Sequence, residues 1–411
     1  MKKIFNFALY DFANSAFTTI IITFIFATYF AKQIAPNPVV GQSYWGCTIG
    51  ITGFFVALVG PIVGSFADKK NRIVFFIRCF SLLCILFTAL LWFAKPSQSY
   101  LLYTLVIVGV ANLFYELSII FYNSLLKDIS TSNNLGKSSG FGFALGYIGG
   151  IVILIISIKL FIDNDNLPFG LTKEESQNIR AIALLVSIWF LIFSIPFLFF
   201  VIKETKKKIS KSISSNNFTD LKKLVWNRKF NALGKFLIAR MLYADGLNAI
   251  IVMGGIFAVG VFNLEIKELL KLSVLMNITA FIGALIGGVA NDRYGSKIVI
   301  IFSLVGLMFS SIAILFIYSK SAFFLLAAIN GFCIGPVQSA SRVVITSLLN
   351  KNNQGKGFGL FATSGKLTSF LGPLLVSTVT FLTDSQRIGF SAAIILLLAG
   401  LIVLLNIKKI S

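Results

Sequence analysis

Six ionisable residues sit inside long apolar runs: Asp11, Glu116, Asp245, Arg240, Arg342 and Lys366. Three acids meet three bases. Each costs about 2.5–3.5 kcal/mol at the middle of a membrane helix, so each calls for a neutralising partner, a ligand or a wet cavity. Two chemistries suit the set. A solute carboxylate can sit on Lys366 or Arg342 while a solute ammonium sits on Asp11, Asp245 or Glu116; and a buried carboxyl can carry a proton. Helical spacing adds polar stripes: Asp11, Asn14, Ser15 and Thr18 share one face, Asn112, Glu116 and Asn123 another, and Asn330, Gln338, Ser341 and Arg342 roughly a third. The residues expected to bind solute or coupling ion are Asp11, Asn14, Glu116, Asp245, Asn248, Gln338, Arg342 and Lys366, with Glu116 the first choice for a proton carrier and Asp11 the second. Ion pairs that only fix helix packing are the competing reading.

Other chemistry is thinly supplied. The chain has no histidine, which argues against metal sites and against Ser-His or Cys-His catalysis. The four cysteines (Cys47, Cys79, Cys84, Cys333) lie in or beside apolar runs and form no CxxC pair, as expected of small packing residues. No Gly-x-x-x-x-Gly-Lys-Ser/Thr loop is present, so ATP-driven pumping by this chain is disfavoured. Neither an enzyme, a cofactor nor a metal is expected.

The elements that must position these residues follow from composition. Of 411 residues, 57% are apolar and 12% charged, too much oil for a soluble fold. The apolar residues form twelve runs long enough to cross a bilayer as helices, near 6–31, 45–67, 73–94, 100–126, 139–161, 181–202, 230–262, 270–290, 297–318, 321–348, 356–381 and 387–407. The first is too long for a signal peptide and carries Asp11, so it is read as a span. With the N-terminus in the cytoplasm, 24 of the 36 Lys and Arg fall on cytoplasmic segments and nine on outer loops, counting groups near span ends with their loops. This is the positive-inside pattern, and it places both termini in the cytoplasm. The net charge of +21 is then a topology signal and an attraction to anionic lipid, not a nucleic-acid footprint.

The longest cytoplasmic stretch, 203–229, is basic and Ser/Asn-rich, and divides the chain into bundles 1–202 and 230–411. Within it, Leu221 to Phe230 reads as a short surface helix with Trp226 at the membrane interface. The halves repeat in parallel. Asp11-Phe-Ala-Asn14 answers to Asp245-Gly-Leu-Asn248; Gly64-Ser-Phe-Ala-Asp68 to Gly288-Val-Ala-Asn-Asp292; Ser124-Leu-Leu to Ser347-Leu-Leu; and Gly140-Phe-Gly142 to Gly357-Phe-Gly359. The offsets fall steadily, 234, 224, 223 and 217, as loop shortening after a duplication would produce. The repeat aligns Arg240 with Asn6, and Arg342 lies within two turns of its span's cytoplasmic end, so both arginines suit snorkelling or an inner gate.

Two loops carry the gating expectation. Gly288-x-x-x-Asp292-Arg293-x-Gly295-x-Lys297 and its weaker copy Gly64, Asp68 and Arg72 combine close helix approach, a tight turn and a carboxylate able to pair with a cation or cap a helix. Here the sequence resembles the major facilitator superfamily, in which this loop is a gate and spans one, four, seven and ten line a central cavity. Asn71 stands where the family usually has glycine, which implies a looser first latch.

The resemblance narrows to the vacuole effluxer (autophagy-related protein 22-like) permeases and their bacterial relatives. It rests on Tyr10-Asp-Phe-Ala-Asn-Ser-Ala-Phe17, Tyr122-Asn-Ser-Leu-Leu126, Ser139 through Gly150, Tyr243-Ala-Asp-Gly246, Gln338-Ser-Ala-Ser-Arg342 and Gly359 through Lys366. Phe12 and Ala244 depart from it, standing where tryptophan and a polar residue are common. Fungal members are linked to amino-acid export from the vacuole, so the resemblance implies a permease for an amino-acid-like solute, with efflux as one direction. Gly142-x-x-x-Gly146 with Gly149-Gly150 resembles an antiporter motif without its proline, and close helix packing is the preferred reading. Gly60-Pro61, Gly335-Pro336 and Gly372-Pro373 are read as bends or swivels.

The expectation is an all-α membrane protein of twelve transmembrane helices in two six-helix bundles, the major facilitator fold. It would reside in the cell membrane (the inner one, if bacterial) and work as a monomer. It would move a small polar or zwitterionic solute by secondary-active alternating access, with protons as a coupling ion. A non-transporting receptor or scaffold and a lipid flippase are the alternatives.

Overall fold

The computed structural model describes residues 2–70, 72–164, 166–201, 217–227 and 229–407. Among the described residues, twelve helical segments are long and apolar enough to span a bilayer: Lys2–Ile34, Val40–Lys70, Ile73–Phe93, Gln98–Ile129, Ser132–Ile162, Glu174–Phe200, Ala232–Phe262, Lys271–Tyr294, Ser296–Phe316, Lys320–Leu348, Lys351–Thr383 and Gln386–Leu405. They are called spans one to twelve below. Helix is the form these sequences must take, because lipid offers the backbone no hydrogen bonds. Several spans run past the apolar stretch into polar residues; span eleven begins at Lys351 rather than 356. Hydrophobicity marks the oily part of a helix, and capping marks its end.

The spans build two apolar cores. One gathers buried side chains from Phe7 to Leu198 and borrows Val343; the other gathers Leu233 to Ile407 and borrows Val56, Leu117 and Ile120. Large apolar side chains such as Phe302, Phe309 and Phe316 face outward, as lipid contact requires. Twelve spans bring both ends of the chain to one side, called here the terminal face. Spans two and eleven pack across the halves, as do five and eight.

Two departures from regular helix concern the polar stripes. In span one a π-helical stretch, Phe17–Phe24, follows directly on Asp11–Ser15. Hydroxyls bond to carbonyls before and within it: Ser15 donates to Phe12 O at 3.0 Å, Thr18 to Ser15 O at 3.1 Å and Thr23 to Thr18 O at 2.8 Å. Span eleven is two helices, Gln354–Lys366 and Leu371–Thr383, joined by a turn at 367–370. Pro373 falls in the first turn of the second piece, where a missing N–H costs nothing. At Gly60-Pro61 and Gly335-Pro336, read as bends or swivels, helix continues through Pro61 and Pro336 without a break.

The stretch between the halves also differs from expectation. A helix occupies Asn217–Val225, and Trp226–Asn227 then pairs antiparallel with Lys229–Phe230. Trp226 packs edge-on against Phe230 at 4.5 Å rather than riding a helix. Asn231 stops the hairpin by capping span seven, its side chain accepting from Gly234 N at 2.9 Å. The remainder of the expected linker, 203–216 and Arg228, lies outside the described residues, as does Asn71.

Candidate functional site

The two gate loops form matched clasps between the halves. Asp68, at the end of span two, accepts from the backbone N–H of Gly355 at 3.0 Å and Lys356 at 2.8 Å, at the start of span eleven. Asp292, at the end of span eight, accepts from Gly136 N at 2.6 Å and Lys137 N at 2.9 Å, at the start of span five. Each carboxylate caps the positive N-terminus of a helix in the opposite half. Glycines make the approach: a Cβ on Gly140 would lie 2.8 Å from Gly288 Cα, and one on Gly355 2.8 Å from Gly64 O. Gly295 takes φ +89°, which an L side chain resists, and so turns span eight into nine. The basic members act within their own halves. Lys297 Nζ caps the end of span twelve at Leu405 O and Ile407 O, 3.0 and 2.8 Å, Arg293 lies over Tyr294, and Arg72 over Phe75.

Charge-removing variants test the clasps. Asp68→Asn and Asp292→Asn should each weaken closure by about 1–2 kcal/mol, the upper range for a carboxylate at a helix N-terminus. Spin-label distances across the terminal face should then broaden toward an opened population; unchanged distances would show that the caps hold nothing shut.

Deeper on the same side lies Arg342, 1% exposed. Its guanidinium bridges the halves: Nη1 donates to Asp11 Oδ2 at 3.2 Å and Asn123 Oδ1 at 3.1 Å, Nε to Ser139 Oγ at 2.8 Å, and Nη2 to Ser139 O at 2.6 Å. The rings of Phe143, Phe7 and Tyr122 surround it at 4.3, 5.4 and 5.6 Å. Tyr122 also donates to Asp11 Oδ2 at 2.8 Å, and Asn14 reaches Asp11 Oδ1 at 3.5 Å. Gly142 leaves the room: a Cβ there would fall 2.6 Å from Asp11 Oδ2. Lys127 completes the seal by capping span ten at Thr346 O and Leu349 O.

The second charged bridge lies further from the terminal face. Lys366, last residue of the first helix of span eleven, donates to Glu116 Oε1 of span four at 2.7 Å. This pair is wetter, with side chains 33% and 16% exposed. Arg240, read as suited to snorkelling or an inner gate, makes no bridge between the halves among the described residues. It clamps span eleven inside its own half, donating to Phe361 O at 2.7 Å and Ser364 Oγ at 2.9 Å, with Phe361 stacked at 3.5 Å. Asn248 also serves span eleven, taking Ser369 O at 2.7 Å where the helix breaks. Asp245 is buried, and its Oδ1 has no hydrogen-bond partner among the described residues.

Beyond the Arg342 seal, on the side away from the terminal face, is a cavity of about 540 Å³. Spans one, five, seven, eight and ten supply most of its wall. Aliphatic and aromatic side chains dominate, with Asn277, Asn330, Gln338 and Tyr147 as polar points. Tyr147 donates to Gln338 Oε1 at 3.1 Å, across the halves. Of the eight residues expected to bind solute or ion, Gln338 alone lines this cavity. Four of the other seven are taken up in ion pairs between the halves, Asp11 with Arg342 and Glu116 with Lys366. Sequence reasoning missed Ser139, Asn123, Tyr122 and Gly142 as the seat of Arg342. Tyr122, Asn123, Ser139 and Gly142 stood in the resembling blocks, but nothing local joined them to Arg342.

Comparison with known proteins follows from this architecture. The pattern of the vacuole effluxer Atg22 like family matches residues 127–409. The chain belongs to that family. This Atg22-like protein is 28% identical over 409 residues to the uncharacterized MFS-type transporter YxiO of Bacillus subtilis, covering 97% of this chain and 93% of that one. It is 25% identical over 321 residues to autophagy-related protein 22 of Yarrowia lipolytica, covering 69% and 53%. Among solved structures, it is similar to the human organic anion transporter MFSD10, with TM-score 0.74, 15% identity and coverage of 98% and 99%. It is similar also to the transporter FucP in its outward conformation, with TM-score 0.76, 14% identity and coverage of 99% and 98%. At these identities the structures show the fold. The Atg22-like chain is a multi-pass integral membrane protein and a transporter of the major facilitator type.

Proposed function

We propose that this chain moves a small zwitterionic, amino-acid-like solute by secondary-active alternating access, and that its terminal face is cytoplasmic. One observation carries the mechanism: the Asp68, Asp292, Arg342 and Lys127 contacts join the halves near one face, and the cavity lies beyond them. Such an arrangement is one of two states. Breaking the clasps and closing the far side exchanges the access of the centre without moving the helices far within each half. The positive-inside balance of Lys and Arg supports the orientation, which makes this the outward-facing state.

The solute class draws on two features. Lys366 and Glu116 come from opposite halves and bond each other in a partly wet setting. A solute carboxylate can replace Glu116 on Lys366, and its ammonium can take Glu116, so binding would rearrange a contact between the halves. The cavity's apolar walls and amide points suit the body of such a solute. The site is reached by rearrangement, not by docking beside free charges.

The experiment is a metabolite screen on purified protein for compounds that raise its melting temperature, followed by flux of each hit in liposomes with and without a proton gradient. Saturable flux of a zwitterion is expected. Binding without flux would mark a receptor, and lipid scrambling without solute flux a flippase; either result would overturn the proposal.

A further inference from the structure

The repeat gives each half a carboxylate at the same place, and the two are treated differently. Asp11 has the Arg342 guanidinium, the Tyr122 phenol and the Asn14 amide. Asp245 has neither counterpart: at the repeat offset of 223 that relates spans four and ten, Arg342 answers to Ile119 and Tyr122 to Ile345. Asp245 is nevertheless the more deeply buried, 3% exposed against 9% for Asp11. Its neighbour across the packing with span eleven is Thr368, in the turn that interrupts that span. Asp245 Oδ1 and Thr368 Oγ1 are both shut from solvent, and neither meets a partner in hydrogen-bond geometry.

The surrounding groups are committed elsewhere. Arg240, on the same span, spends its donors on Phe361 O and Ser364 Oγ and makes no ion pair with Asp245 among the described residues. Lys366 of span eleven is held by Glu116 of span four. Tyr243 shares a hydrogen bond with Ser341 of span ten at 2.7 Å. Span twelve meets the Asp245 region through Ala393 and Leu397, both apolar, packed on Gly246. At best one hydroxyl attends a carboxylate whose Oδ1 is shut from solvent. A buried acid so placed is more stable neutral than ionised.

We propose that Asp245 is a proton-binding site, occupied in this conformation, with the Thr368 hydroxyl as its polar neighbour at the break of span eleven. The proton comes from water, and the acid returns it to water when the turn at 367–370 repacks against span seven. Loss of that proton would leave an anion beside Arg240, able to draw the guanidinium off Phe361 O and release the first helix of span eleven, which carries Lys366. Proton binding stands independently of the transport reading; its use for coupling rests on that reading.

The test uses the proton itself as probe. Infrared pH-difference spectra of the full-length protein in lipid, in sodium-free buffer, should show a carboxylic-acid C=O band that disappears as pH rises and is missing in Asp245→Asn. Thr368→Val, which keeps the charge and fills the same space, should retain the band at a frequency shifted by the loss of the neighbouring hydroxyl. This second variant covers failure of the first to fold. A spectrum in which Asp245→Asn removes no acid band would overturn the assignment. So would a band unmoved by Thr368→Val, or a melting temperature that rises with sodium at fixed pH in the wild type and not in Asp245→Asn. The outcome is separable from the solute question, because no solute is added.

Discussion

Arg342→Ala is expected to destabilise the closed terminal face more than any other single change in the protein. The substitution strands Asp11 in a dry setting with a phenol and a distant amide as its remaining partners. Breaking a buried pair by removing one member costs about 3–5 kcal/mol, most of it the desolvated survivor. The lost guanidinium also vacates three ring faces and both bonds to Ser139. Asp11→Asn should cost less, because Arg342 keeps Asn123, Ser139 and the rings, while the double variant Asp11→Asn with Arg342→Gln should recover part of the loss. The measurement is a double-mutant cycle on melting temperature together with thiol labelling of a cysteine placed at the terminal face. A coupling energy below about 0.5 kcal/mol would mean that the pair behaves as independent sites, and that Arg342 locks nothing.

Lys366 and Glu116 should respond oppositely to substitution. Lys366→Ala removes the anchor for a solute carboxylate, and saturable flux should fall about 10- to 100-fold, the worth of about 1.5–3 kcal/mol for one charged hydrogen bond. Glu116→Gln instead frees Lys366 from its internal competitor. Solute should then bind more tightly, with a lower KM, while turnover slows because the pair no longer re-forms to release solute. Stability should change little in either case, since both side chains keep some contact with water. Ordinary KM and kcat in both variants would reduce the pair to helix packing. A packing role also predicts equal melting losses in the two variants and no split between KM and kcat.

The architecture was highly legible because the bilayer imposes it. An apolar run of about 20 residues has one stable form in lipid, so counting runs counts helices. The duplication was readable too, since Asp68 and Asp292 stand at equivalent places and, in space, cap equivalent helices of the opposite half. Less legible was the break in span eleven. Gly372-Pro373 flagged the neighbourhood, but the turn falls at 367–370, where Asn248 and Asp245 of span seven face the exposed backbone. The short element within the linker was legible in part: helix covers Leu221–Val225, as its apolar and basic residues suited, whereas the Trp226–Phe230 contact and the Asn231 cap go with a hairpin turn.

Residue types established that six charges lie within the membrane and that their signs balance; Coulomb energy in a low-dielectric medium demands no less. Which acid meets which base was a matter of tertiary packing. Arg342 and Asp11 are 331 positions apart in the chain and meet only because spans one and ten both pack against span five. Asp245 occupies the matching place and pairs with no base among the described residues; isoleucine stands where the repeat would place its partner. Local pattern reports the cost of burying a charge. The fold alone decides whether that cost is met by an ion pair, by water or by a proton.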